Sequence, residues 1–292
     1  MRPYTGISKM LRRITLLLLF IPLAACSGLI FQPTKQHLLK RDLAEQRLQI
    51  KIKDVYFQSG DGTKLHGWLL PNQEKETKGT VLFLHGNGEN ISTHIRLVWW
   101  LPRSGYNVFM PDYRGYGISE GEPTLERVHE DIQAAMGWLF SQKDLNLKNV
   151  ILYGQSLGGA LATTSLADSP YRERFKGLVV EGSFTRYRQV AQEMLGKSWL
   201  TWLFQWPLSF TIRDDYSPIE TIPRISPIPV LLAHGDADPI VDMHHSQLLY
   251  TAAQQPKELW IIPGAGHAVF WSADQRQRLL DYFDKILITN KK

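Results

Sequence analysis

The sequence holds a single cysteine, Cys26, so no disulfide can form within the chain. It lacks low-complexity tracts and any internal repeat visible by eye, which excludes a disordered linker protein and a solenoid. Its first apolar run, Ile14 to Leu23, is too short to span a bilayer as an ordinary helix. It also lacks a real excess of positive charge. The formal net charge is +5, but Arg2, Lys9, Arg12 and Arg13 precede Cys26, where no acid occurs, and the remainder carries 29 basic against 28 acidic residues. A body so balanced has no electrostatic footprint for nucleic acid. What is left is an ordinary globular composition over 292 residues, enough for one sizeable core.

The N-terminus reads as a targeting segment: positive charge through Arg13, the short apolar run, then small residues. Its end, Leu23-Ala24-Ala25-Cys26, resembles the bacterial lipoprotein box, in which the cysteine is lipidated and becomes the new N-terminus. That resemblance implies a signal peptide over 1–25, lipidation of Cys26 and a place in the bacterial cell envelope. Ser27 favours the outer membrane, facing the periplasm, in a two-membrane bacterium. The alternative is an uncleaved anchor with a chance cysteine at its end, and either way the body is held at a membrane. Met10 is a second possible start. Residues 26–48 read as a linker that packs loosely on the body and carries no chemistry.

Two strand-like stretches, Ile50 to Gln58 and Leu65 to Leu70, flank Ser59-Gly60-Asp61-Gly62 and suggest a hairpin. Beyond them, compact apolar runs at Val81–Leu84, Val108–Met110, Val150–Tyr153, Leu178–Val180, Val230–Leu232 and Leu259–Ile262 alternate with helix-like segments. These include Leu125 to Phe140, Leu157 to Ala167, and a last helix opening at the capping box Ser272-Ala273-Asp274-Gln275. Apolar runs without alternation indicate strands buried on both faces. The expected fold is therefore α/β: a doubly wound, mostly parallel sheet with an N-terminal antiparallel hairpin, over 49–292. One stretch breaks the rhythm. Residues 184–227, rich in Trp199, Trp202, Phe204, Trp206 and Phe210, leave from a strand's carboxyl end, where ligands sit in such sheets, and are the candidate short helical cap.

Gly154-Gln155-Ser156-Leu157-Gly158 follows the strand Val150–Tyr153 and opens a helix, which fits the G-x-S-x-G nucleophile elbow. Glycines are needed where a side chain would collide with backbone in the sharp turn, and the serine hydroxyl is presented at a helix N-terminus. A serine needs a base, and the base needs a carboxylate to hold its tautomer. In the expected order Ser, acid, His, the base is His267, after the strand Leu259–Ile262. The acid is Asp238 or Asp236, after the strand Val230–Leu232, with Asp238 favoured because Asp236 is well placed to hold its own turn. Oxyanion N–H donors are expected from Leu157 and from the loop His85-Gly86-Asn87-Gly88, Asn87 before Gly88. His244-His245 suggests no metal, because adjacent helix residues do not face one another and no H-E-x-x-H accompanies them. They read as surface or cap-facing residues.

His85-Gly86-Asn87 and the stretch Asp112-Tyr113-Arg114-Gly115-Tyr116-Gly117-Ile118-Ser119-Glu120-Gly121, beside the elbow, resemble the α/β-hydrolase superfamily over about Lys51 to Ile288. The resemblance implies a serine hydrolase acting on a small-molecule ester or acyl substrate, with no cofactor, and makes the Asp112 to Gly121 stretch a structural loop. Glu89 departs from the small residue many relatives carry there. Trp199, Trp202 and Trp206 are candidate substrate contacts, while packing onto the sheet and contact with lipid stay open as other uses. The rival functions are a serine peptidase of the same fold and a non-catalytic lipoprotein that keeps the fold for binding. The oligomeric state is not legible.

Overall fold

The computed structural model describes residues 30–197 and 199–289. The signal-like segment and Cys26 lie outside them. Eight strands form one sheet: β1 (Lys53–Gln58), β2 (Lys64–Leu70), β3 (Gly79–Leu84), β4 (Tyr106–Pro111), β5 (Val150–Gln155), β6 (Phe175–Glu181), β7 (Val230–Gly235) and β8 (Lys257–Ile262). Their order across the sheet is β1-β2-β4-β3-β5-β6-β7-β8. β1 pairs antiparallel with β2, and β2 with β4; every other pairing is parallel. The hairpin and the mostly parallel sheet expected from the apolar runs are both present.

The long helices cover both faces, and successive strand residues face opposite cores. Leu82, Leu152, Leu178 and Leu232 pack in one cluster with Val128, Ile132 and Met136 of helix α3 (Leu125–Ser141) and with helix α4 (Leu157–Ala167). Val81, Phe83, Ile151, Val179 and Leu231 pack in the other, with Ile95 and Val98 of α2 (Ile91–Val98) and Leu279 and Phe283 of α9 (Ala273–Thr289). Two-sided burial removes the polar alternation an exposed sheet face would show, which is why these strands read as continuous apolar runs. Half of the expected capping box is made at the start of α9: Gln275 N–H donates to Ser272 Oγ at 3.2 Å, but Gln275 Oε1 does not return to the Ser272 N–H.

The loose linker does not hold for 30–48. Lys35 bridges to Gly117, α1 (Arg41–Leu48) follows, and Phe31 and Ala44 are fully buried. The segment reads as a linker because its apolar residues are isolated, and the body supplies the partners that bury them.

The Asp112 to Gly121 loop is structural, as its resemblance implies. Arg114 lies in a buried fork with Asp131 of α3, Nη2 to Oδ1 at 2.6 Å and Nε to Oδ2 at 2.9 Å, and also reaches Asp61. Asp112 accepts from Ile91 N–H at 3.0 Å. Tyr113 and Tyr116 hydroxyls donate to His85 C=O and Asn87 Oδ1. Asp131→Ala leaves a buried guanidinium with Asp61 as its one remaining carboxylate, beside the Ser59 hydroxyl, and breaking such a pair costs roughly 3–5 kcal/mol. A fall of about 3 kcal/mol in denaturant unfolding, with an unchanged slope, is the expected result.

Candidate active site

The chain runs from β3 out to β4 on one side and returns to β5 on the other, so the sheet's switch point lies between β3 and β5. Loops leaving the carboxyl ends of two such strands diverge and leave a crevice. Ser156 and the loop 85–90 both leave there, and Leu84 pairs with Gly154 across the gap.

Ser156 sits at φ 56° and ψ −120°, a conformation that a residue with a side chain adopts only under constraint. Its N–H donates to Glu181 C=O at 2.8 Å and its C=O accepts from Ser183 Oγ at 2.8 Å, so the turn is pinned at both ends. The flanking glycines are sterically required: a Cβ on Gly154 would lie 2.2 Å from Gly158 O, and one on Gly158 would lie 2.0 Å from Leu84 O.

Asp238 follows β7 and His267 follows β8, and the structure brings them together: His267 Nδ1 lies 2.7 Å from Asp238 Oδ2. The Asp238 side chain is fully buried while that of His267 is about one-fifth exposed. The other oxygen of Asp238 accepts from Ile240 and Val241 N–H at 2.8 and 3.1 Å. His234 Nε2 approaches Oδ2 at 3.2 Å. Burial alone would raise this carboxyl's pKa, but the hydrogen bonds with His234 and His267 outweigh it, with Ile240 N–H adding to them, and hold it well below the usual carboxylate range. Asp236 is exposed and accepts from Gly264 N–H at 2.7 Å, tying the two loops together without touching His267.

Ser156, His267, Asn87 and Leu157 all line one cavity of about 530 Å³. The side chain of Asn87 is committed elsewhere: Oδ1 accepts from Gln32 N–H and the Tyr116 hydroxyl, and Nδ2 donates to Ile30 C=O. Only its backbone N–H is left to face a substrate, as for Leu157 at the start of α4. Glu89, the acidic departure, lies 3.3 Å from Arg96, so its charge is matched by a neighbour on the same wall. The opposite wall is apolar, built by Phe184, Val190, Ala191 and Met194, with Ile240 and Trp271 at the rim.

The three cap tryptophans are not where a substrate contact would need them. Trp199, Trp202 and Trp206 are largely exposed and do not line the cavity. The cap contributes through its first helix, α5 (Tyr187–Gly196), and the chain then leaves the cavity lining through a 3-10 turn (Trp202–Phe204) and α6 (Gln205–Ser209). A short α7 (Pro218–Thr221) closes the insertion.

His244 and His245, at the start of α8 (His244–Ala252), face the cap, one of the two places expected for them, but they do face one another, which the helix argument did not allow. Their rings stack 4.2 Å apart, and both reach Glu193 of α5, at 3.5 and 2.9 Å. Adjacent residues diverge inside a helix, but the first turn leaves room for both to lean toward the cap, and His245 is buried. This trio and His37, His66 and Asp112 are the groups of described residues whose donor atoms lie within 4.8 Å of one another. Both sets are already engaged: His245 Nε2 with Glu193, His244 Nδ1 with Asp242, and His37 Nε2 with Asp112.

Three supporting residues escaped the sequence reading. His234, at the end of β7, braces Asp238, with its Nδ1 accepting from the Ser246 hydroxyl at 2.7 Å. Glu181, at the end of β6, is buried; its carboxylate accepts from Val269 N–H, just beyond His267, and from the Tyr153 hydroxyl. Burial pushes that carboxyl up. His94 lines the cavity from α2, a helix the apolar runs did not reveal, and burial drops its pKa to about 3, which keeps it neutral.

With this geometry in hand, the comparisons with known proteins decide the family. The chain is 30% identical over 255 residues, 83% of its length and 81% of the other's, to the alpha/beta hydrolase domain-containing protein WAV2 of Arabidopsis thaliana. The chain belongs to the α/β-hydrolase family. Residues 75–218 match the family described as Serine aminopeptidase, S33. This hydrolase is also 36% identical over 220 residues, 74% of its length and 73% of the other's, to the uncharacterized protein YfhR of Escherichia coli O157:H7. Its fold is that of the esterase Pf2001 of Pyrococcus furiosus, with a TM-score of 0.71 over 88% of this chain and 97% of that one at 22% identity.

Proposed function

We propose that this α/β-hydrolase is a serine hydrolase that cleaves carboxylic ester or thioester bonds through an acyl-enzyme on Ser156, tethered to a membrane through lipidated Cys26. The observation that carries the reading is the Asp238–His267 pair at 2.7 Å, with its imidazole opening into the same cavity as a serine held in a strained turn. Asp238, ionised, holds His267 in the tautomer whose Nε2 carries a lone pair. That nitrogen takes the Ser156 proton as Oγ attacks the carbonyl, and returns it to the leaving group as the acyl-enzyme forms. Backbone N–H groups of Leu157 and Asn87 stabilise the oxyanion. Water activated by His267 then releases the acid.

The apolar wall favours an acyl substrate. The match to the serine aminopeptidase description keeps a peptidase in view, but Glu89, the carboxylate lining the cavity, is paired with Arg96 and is poorly placed to receive a peptide amine. The lipoprotein-type N-terminus supports an envelope location, at the outer membrane and facing the periplasm where two membranes exist. Among the described residues no helix is long and apolar enough to cross a membrane.

Intact mass after treatment with a fluorophosphonate probe tests the chemistry: one adduct on the wild type and none on Ser156→Ala is expected. A folded wild type that takes no adduct makes the non-catalytic lipoprotein the better account. A panel pairing short chromogenic esters with an aminoacyl amide separates the esterase from the peptidase.

A further inference from the structure

We propose that the outer face of the cap docks on the surface of a lipid bilayer, so that the cavity takes its acyl substrate from that surface. The inference deepens the membrane-tethered hydrolase reading and rests on it. Trp199 is 84% exposed and Leu203 71%, and Leu200, Trp202, Trp206 and Phe210 are each more than half exposed. Scattered exposed apolar residues are normal in a soluble protein, but six on one short insertion, three of them tryptophan, are a patch that marks an interaction. They stand outside the sheet's packing and outside the cavity, so neither fold nor substrate accounts for them.

A bilayer fits this face for three reasons. Tryptophan and leucine are the residues of segments that lie in the headgroup region, and from Met194 to Ile212 the chain carries one base, Lys197, and no acid, while Arg213 at its end is paired with Glu126 and Asp215. The Lys197 ammonium donates to Pro239 and Ile240 C=O, locking the inner end of this segment to the loop that carries Asp238. The patch is also continuous with the cavity mouth: Met194, Ile240 and Trp271 each line the cavity and stay 43–50% exposed, so the apolar surface runs from the cap into the site. Finally, Ile30 lines the same cavity, and Cys26 is four residues before it. Four residues span at most about 14 Å, so an anchor at Cys26 holds the mouth within roughly that distance of the membrane surface. Tether and patch then act on the same edge of the molecule.

The test uses the full chain purified from membranes and reconstituted in phosphatidylethanolamine and phosphatidylglycerol vesicles whose acyl chains carry bromine, with tryptophan quenching as the readout. Wild type is expected to be quenched, and Leu200→Asp/Leu203→Asp to lose at least about half of that quenching while hydrolysing a short soluble ester within about twofold of wild type. Equal quenching in the two proteins, or none in the wild type, overturns the proposal. So does dissociation of a dimer by the same substitutions in the absence of vesicles, which would assign the face to a second copy. The Cys26→Ser chain tells failure of docking from failure of the tether. Release of that variant from washed vesicles while the wild type stays bound but unquenched retains the tether and refutes the docked cap.

Discussion

Ser156→Ala is expected to lower turnover of a soluble ester by about 10⁶-fold while leaving the chain folded, since the groups of a serine-histidine-acid set act as a unit and loss of the nucleophile removes nearly all their effect. Alanine carries the same Cβ as serine and meets the same strain at φ 56°, so the substitution adds none, and Glu181 C=O still accepts the N–H of residue 156. Unfolding therefore should not supply the loss, and an unchanged thermal midpoint beside the collapsed rate is the control. What persists, about 10³-fold or more over water, would come from the cavity and the N–H groups of Leu157 and Asn87. A fall of only tenfold or so would show that another group attacks the carbonyl and would remove Ser156 from its proposed role.

Much of this arrangement was written locally. The strands β3, β5, β6 and β7 were legible because burial on both faces leaves continuous apolar runs, and the elbow was legible because Gly154 and Gly158 have no sterically possible replacement. What the sequence hid depends on contacts far apart in the chain. Segment 30–48 looks like a linker until Asn87 and Asn90 bind its backbone, more than fifty residues away. Glu181 looks like the polar end of a strand until the loop after His267 folds over it and gives it Val269 N–H. The cap misled in the opposite sense. Aromatic richness near a catalytic edge suggests substrate contact, yet composition does not say which side of an insertion faces in. Here the inward side belongs to Phe184, Val190, Ala191 and Met194, none of them tryptophan.

Asp238→Asn is expected to reduce turnover by about 10⁴-fold, and Asp236→Asn to leave it within about tenfold, a contrast that the two positions, only two residues apart, make demanding. An amide at 238 could turn its N–H₂ toward His267 Nδ1 and favour the tautomer in which Nε2 carries the proton, so the base would face Ser156 with nothing to accept it. His234 sharpens the effect, because its Nε2–H, which donates to Val241 C=O at 2.9 Å, also lies 3.2 Å from Asp238 Oδ2, and the two oxygens of the carboxylate serve His234, His267 and the N–H groups of Ile240 and Val241 together. The same hydrogen bonds hold this carboxyl's pKa below its unfolded value, so its contribution to stability is present above about pH 4 and is lost only as the pH falls through the depressed folded value. The variant should accordingly lose stability at neutral pH as well as rate, and the difference in stability from wild type should shrink in strong acid. Asp236 has no such setting: it is exposed and accepts Gly264 N–H. Near-normal turnover in Asp238→Asn, with collapse in Asp236→Asn, would mean that the loops after β7 and β8 rearrange when substrate binds and that the 2.7 Å pair is not the working one.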